Sequence, residues 1–273
     1  MKKTFEFNRF WQVMKWTILS EKKSIITAFI AFLIGFLAIQ LFSCFTIFDI
    51  THALGPTATY AGMATCSLVI GFMVTYYNSG ILGNARTSQQ RTTALMLPAS
   101  NLEKFTARII YCCIIMPLLL YVAVYAATGV RMLMELIASH DPITSGLSTI
   151  FNPDVFMNNH NFELNDFLFI ALTLWSTSIF VLGGVFFRQR PFVWTNVTMF
   201  ILTILFITVV FYLVRIIGED SIRHFLMQFR DMTFDTFQII LGLILTAFAV
   251  FNIWISYRLY KRLQVVQHKW FNV

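Results

Sequence analysis

The side chains able to do chemistry are few in this sequence, and their spacing argues against catalysis. His52, His140, His160, His224 and His268 are scattered, with no pair at metal-ligand spacing. Cys44, Cys66, Cys112 and Cys113 lie in or at the edge of apolar stretches without a Cys-x-x-Cys pair, and read as small buried hydrophobes. A phosphate-cradling Gly-x-x-x-x-Gly-Lys-Ser/Thr loop, a His-Glu-x-x-His pair and a Gly-x-Ser-x-Gly elbow are all missing. No enzymatic activity and no cofactor are therefore expected of this chain. Asp49, Asp166, Arg215, Asp235 and Arg258 fall at the ends of apolar spans, where they reach headgroups or water. The polar residues at depth are neutral, Gln40, Asn78, Asn196 and Asn252 among them. Each is better suited to bonding a neighbouring helix than to carrying an ion.

One stretch carries a legible local design. Residues 84–108, from Asn84 to Arg108, form the most polar and basic segment between two long apolar spans. Pro98 cannot occupy a helix interior and pushes Leu97 out of the α region. Ser100-x-x-Glu103 then spells a capping box, so a new helix is expected from about Asn101 straight into the next span. Upstream, Thr87–Met96 contains no breaker and is expected to form a short polar helix. This loop is where another protein would push.

The elements around it follow from composition. Of 273 residues, 58% are hydrophobic and 12% charged, with a mean hydropathy of +0.71; a soluble domain has roughly 45–50% apolar and about 25% charged residues. An all-α polytopic membrane protein is expected. A net charge of +7 then reports loops facing anionic lipid rather than nucleic acid. Six stretches reach the required length of about 20 residues: 24–47, 58–83, 106–130, 166–187, 191–217 and 234–259. Arg188 and Arg190 mark a tight turn that makes a hairpin of the fourth and fifth. Lys and Arg number six in residues 1–23, four in 84–108, two at 188–190 and four in the C-terminal tail. The opposite side has four: Arg131, Arg215, Arg223 and Arg230. That asymmetry predicts six crossings with both termini inside.

Residues 1–23 lack the apolar core of a cleaved leader. Phe7, Phe10, Trp11, Met14 and Ile18 share one helical face, which predicts an interfacial helix. Ile222, Phe225, Leu226, Phe229 and Met232 predict a second amphipathic helix on the outer side, between spans five and six. Residues 131–165 form a long acidic outer segment broken by Pro142 and Pro153. In span two, Ser67, Gly71, Thr75, Ser79 and Gly83 recur every four residues, a ridge of small side chains suited to close helix packing. Gly183-Gly184 in span four suggests a kink or a second close contact. With no linker-like run, residues 1–273 are expected to be one transmembrane domain.

Leu97-Pro98-Ala99-Ser100-Asn101-Leu102-Glu103-Lys104-Phe105, followed by Ala107-Arg108, resembles the loop before the third span in permease subunits of ABC exporters of the ABC-2 type. The likeness is to the short single-domain permeases of Bacteroides-like bacteria. The resemblance implies a subunit of the bacterial inner membrane that binds no nucleotide. It pairs with a second permease and with a separate cytoplasmic ATPase holding ATP and Mg. It places the coupling element near Gln89 to Glu103, with Gln89, Arg91, Pro98, Ser100, Glu103 and Lys104 as contacts, and makes the N-terminal helix an elbow. The outer segment at 131–165 is longer than compact exporters need. It keeps open an alternative, an integral-membrane scaffold or assembly subunit of an envelope complex. A secondary carrier is disfavoured by the lack of intramembrane charge.

Overall fold

Every regular element among the described residues is a helix. The computed structural model describes residues 5–47, 56–83, 89, 92–93, 96–139, 164–217 and 234–262. The helices are α1 (Phe7–Ser20), α2 (Lys22–Ile47), α3 (Pro56–Ser79), α4 (Asn101–Ile110), α5 (Met116–Ser139), α6 (Leu164–Phe186), α7 (Pro191–Ile217) and α8 (Phe234–Lys261). A π-helical turn, Tyr111–Ile115, joins α4 to α5. Five stretches are long and apolar enough to cross a membrane: Lys22–Phe42, Asn101–Arg131, Phe167–Phe186, Pro191–Tyr212 and Thr236–Lys261. They mark a multi-pass membrane protein. In lipid the backbone must satisfy its own hydrogen bonds, and uninterrupted helices do so. Where the second span is expected, over 58–83, the structure has α3, a helix of 24 residues that is not among those five. The expected outer helix Ile222–Met232, Arg91 and residues 140–163 lie outside the described residues. α5 continues past Arg131, the end of its candidate crossing, to Ser139.

The chain divides into two units, Met1–Tyr77 with Pro98–Asn161, and Asn78–Leu97 with Phe162–Val273. In the first, α2 packs along α5. Phe36, Cys66, Ile70, Leu120, Ala123, Val124 and Ala127 form a buried cluster. Gln40 Nε2 donates to Thr128 Oγ1 at 2.8 Å, a polar tie between two apolar helices. Closer to the N-terminus Arg108 donates to Glu21, so α2 and the α4–α5 rod run in the same direction. The π turn keeps that rod's buried stripe in phase. Ala107, Tyr111, Met116 and Leu120 are all buried, and the step from Tyr111 to Met116 spans five residues. Pro117 follows at once and offers no N–H to the preceding turn, a place where a helix widens or bends without losing a further bond.

In the second unit α6 and α7 form the expected hairpin, with Arg190 at φ 46° in the turn and Pro191 at the first position of α7. Phe180 stacks on Phe192 at 5.8 Å. The glycine pair in α6 makes close contacts on both sides. A Cβ on Gly183 would strike the Thr195 side chain, and one on Gly184 would strike the carbonyl oxygen of Ser79. The ridge residue Ser79 is thus buried against α6. Phe167 lies against Gly242, and Asn252 donates to Ser178 Oγ at 3.2 Å. These two contacts set α6 and α8 side by side, running the same way.

Gly184→Ala is expected to cost about 2 kcal/mol, because the obstructing atom is backbone and cannot swing aside. The melting temperature in detergent should fall by roughly 5 °C, while Gly71→Ala, with nothing within 4 Å of its Cβ, leaves it unchanged. Equal melting of Gly184→Ala and the parent would refute the close contact.

Candidate functional site

The polar loop ends in one carboxylate. Ser100 and Glu103 make the full capping box at the start of α4. Ser100 N–H donates to Glu103 Oε2 at 2.8 Å, and Glu103 N–H donates to Ser100 Oγ at 3.3 Å. The same carboxylate reaches a second helix. Glu6 is the N-cap of α1 and supplies no side-chain cap there; its backbone N–H instead donates to Glu103 Oε1 at 2.9 Å. Arg9 Nη2, one turn into α1, donates to the same oxygen at 3.2 Å. Glu103 therefore caps the N-termini of α1 and α4 together, where helix dipoles favour negative charge. Its side chain is 0% exposed, and every contact presents a hydrogen to it, as an ionised carboxylate requires.

A second carboxylate joins the other end of α1. Glu21, at the corner between α1 and α2, accepts from Arg108 Nη1 at 2.8 Å and from Tyr111 Oη at 3.0 Å. Between the two anchors α1 packs Val13 and Met14 against Ala107, with Phe10, Ile18, Ala99, Ile110 and Ile115 around them. So only part of the predicted apolar face of α1 lies against lipid or solvent: Phe7 and Trp11 are exposed, Met14 is buried. α1 is thus riveted at both ends, to α4 and to the π turn that follows it.

This geometry sorts the loop residues. Glu103 and Lys104 are buried, Ser100 is half-buried, and Gln89 and Pro98 are exposed. Gln89 lies in helical backbone and its carbonyl accepts from Thr93 Oγ1 at 3.0 Å. The structure brings Ser100 and Glu103 together and adds Glu6, Arg9, Glu21 and Tyr111, which the loop sequence did not indicate. It also exposes two apolar loop residues, Met96 (78%) and Leu102 (40%). Their signal was available in the sequence, as apolar residues flanking a polar break. Along the ridge Ser67 is exposed and bonds its own helix at Ala64. Thr75 likewise bonds Phe72, Gly71 and Gly83 have nothing near a Cβ, and Ser79 alone is tightly packed. Among the described residues no three His, Cys, Asp or Glu gather as a metal would need. No family model, no curated protein and no solved structure matches this chain.

Glu103→Gln removes the charge that caps both helices and turns an amide N–H toward backbone donors. A loss of about 2 kcal/mol is expected, which corresponds to roughly thirtyfold faster hydrogen exchange across α1. Leu102→Ala, altering an exposed neighbour, should leave α1 exchange unchanged. Unaltered protection of α1 in Glu103→Gln would show that the carboxylate does not hold it.

Proposed function

We propose that this chain is the transmembrane permease subunit of an ABC exporter, working as a pair of permeases with a separate cytoplasmic ATPase. The observation that carries this reading is the double cap at Glu103. A polar loop between two spans is bonded to an N-terminal helix, so force on the loop enters α1 and the α4–α5 rod together. The reading takes six spans with both termini inside, α3 being the second, α1 lying in the interface as an elbow, and the bacterial inner membrane as the location. Sixteen inner cations against four outer ones support that orientation. ATP and Mg belong to the partner; this chain supplies the path and the lever.

Within this mechanism the loop residues divide by exposure. Glu103 and Lys104 are positioning residues, since neither can meet another protein without leaving its buried place. The docking contacts fall to exposed residues of the loop sequence, Pro98 and Leu102 in the first unit and, in the stretch before them that belongs to the second, Gln89 and Met96, with Arg91 in the same segment. ATPase closure would push this set, and the caps at Glu103 and Glu21 would carry the displacement into α1, α2 and the α4–α5 rod. The ridge of Ser67, Gly71 and Thr75, open on α3, is offered to the second permease.

The test is purification of the tagged chain in gentle detergent, with identification of what accompanies it and an ATPase assay on the eluate. A co-purifying ATPase is expected. The pair Met96→Glu and Leu102→Glu should cut its stimulation by the permease at least tenfold, at unchanged chain level and melting temperature. Full stimulation by that variant, or a chain accompanied only by envelope proteins, would overturn the exporter reading in favour of a scaffold.

A further inference from the structure

The last turns of α8 carry a stripe that the export mechanism does not use. Phe251, Trp254, Arg258 and Lys261 are all exposed. At 100° per residue they lie opposite the face of α8 that holds Ala249, Asn252 and Ser256. That opposite face is the packed one: Ala249 and Ser256 are buried, and Asn252 bonds Ser178 of α6. The exposed stripe grades along the helix axis. Phe251 stacks on Trp254 with ring centroids 6.0 Å apart. The Arg258 guanidinium lies over the Trp254 ring at 4.2 Å, and Lys261 Nζ lies over Tyr257 at 4.7 Å. Apolar rings come first, then an interfacial Trp and Tyr, then two cations held on their faces.

The described charges at this end of the second unit are basic. Phe167 against Gly242 and Ser178 against Asn252 set the register of α6 along α8. Carrying that register forward puts Phe186 level with Lys261. The turn holding Arg188 and Arg190 therefore lies at the same end as Arg258, Lys261 and Arg262. The sequence has no Asp or Glu in 78–97, in 167–218 or after Asp235. Among the described residues, Arg188, Arg190, Arg258, Lys261 and Arg262 thus share this end of the unit.

We infer that Phe251, Trp254, Tyr257, Arg258 and Lys261 form a binding site for an anionic phospholipid, the headgroup phosphate on Arg258 and Lys261 and the upper acyl chain along Trp254 and Phe251. A guanidinium lying flat on an indole keeps its N–H edge free, and that planar edge matches phosphate oxygens two at a time. Trp and Tyr sit at headgroup depth in a bilayer. Basic residues just beyond a membrane crossing attract anionic lipid. A water-soluble acidic protein would match the two cations but would have no use for Phe251 and Trp254, which continue the apolar surface of the crossing. The site stands whether or not an ATPase joins the chain.

The test uses the purified full chain in neutral-detergent micelles. Binding of phosphatidylglycerol and of phosphatidylcholine with identical acyl chains is measured by native mass spectrometry. The parent is expected to prefer phosphatidylglycerol, and the double variant Arg258→Gln, Lys261→Gln to bind it about thirtyfold more weakly, with phosphatidylcholine unchanged. Should the double variant fail to fold, Lys261→Gln alone carries the test, with a loss of about fivefold expected. Equal binding of the two lipids by the parent, or no loss in either variant, overturns the site. So does a variant that keeps phosphatidylglycerol but loses an acidic protein partner, because the stripe is then a protein contact.

Discussion

A carboxylate with no exposed surface, bonded to the first N–H groups of two helices at once, is the constraint on which the packing of α1 against α4 depends. Glu103 accepts from Glu6 N–H, Ser100 N–H and Arg9. Each of those backbone donors would otherwise be an orphan at a helix start, and Arg9 would lose its buried counter-charge. Remove the carboxylate and α1 loses its N-terminal cap, α4 loses half of its capping box and Arg9 loses its buried partner together. Glu21 repeats the device at the far end of α1 through Arg108 and Tyr111. The helix is held by two charged fixings with an apolar strip between them, a stiffer attachment than packing alone supplies.

These fixings also set the electrostatics around α1. In the six-span reading the inner segments contain three carboxylates, Glu6, Glu21 and Glu103, against sixteen Lys and Arg. All three are committed inside the first unit: Glu6 to Arg9 at 3.4 Å, Glu103 to Arg9 and Glu21 to Arg108. In the second unit, residues 188–190 and the stretch from Arg258 onward carry Lys and Arg but no Asp or Glu in the sequence. The surface left over is suited to anionic lipid and to acidic protein faces. One set of contacts therefore both holds α1 and commits the carboxylates beside it.

What the sequence made legible was local. The capping box at Ser100 and Glu103, the hairpin at Arg188–Arg190 and the apolar stretches are written in adjacent residues, and five of those stretches stand as helices fit to cross a membrane. The second role of Glu103 was illegible because its partner Arg9 lies 94 residues away, and nothing in a capping-box pattern announces a second helix. The four-residue ridge on α3 could be read as periodic but not as packed, since periodicity fixes a face and not what covers it. Within the chain only Ser79 is tightly packed, by way of Gly184. The π turn was hidden for a similar reason. Pro117 signals a local change in hydrogen bonding, but only the buried positions on either side show that a fifth residue was inserted to keep the stripe in phase.

The claim that α1 and the polar entrance of α4 form one mechanical piece rests on the bond between Arg9 and Glu103. A double-mutant cycle tests it most directly, with Arg9→Ala, Glu103→Gln and the pair compared by unfolding of the full chain in mixed micelles. The account predicts a coupling energy of about 1.5–3 kcal/mol, as expected for a hydrogen bond to a charged group in a partly buried place. A coupling within about 0.3 kcal/mol of zero, the size of ordinary additivity error, would mean that the two helices only touch, and the lever would have no joint.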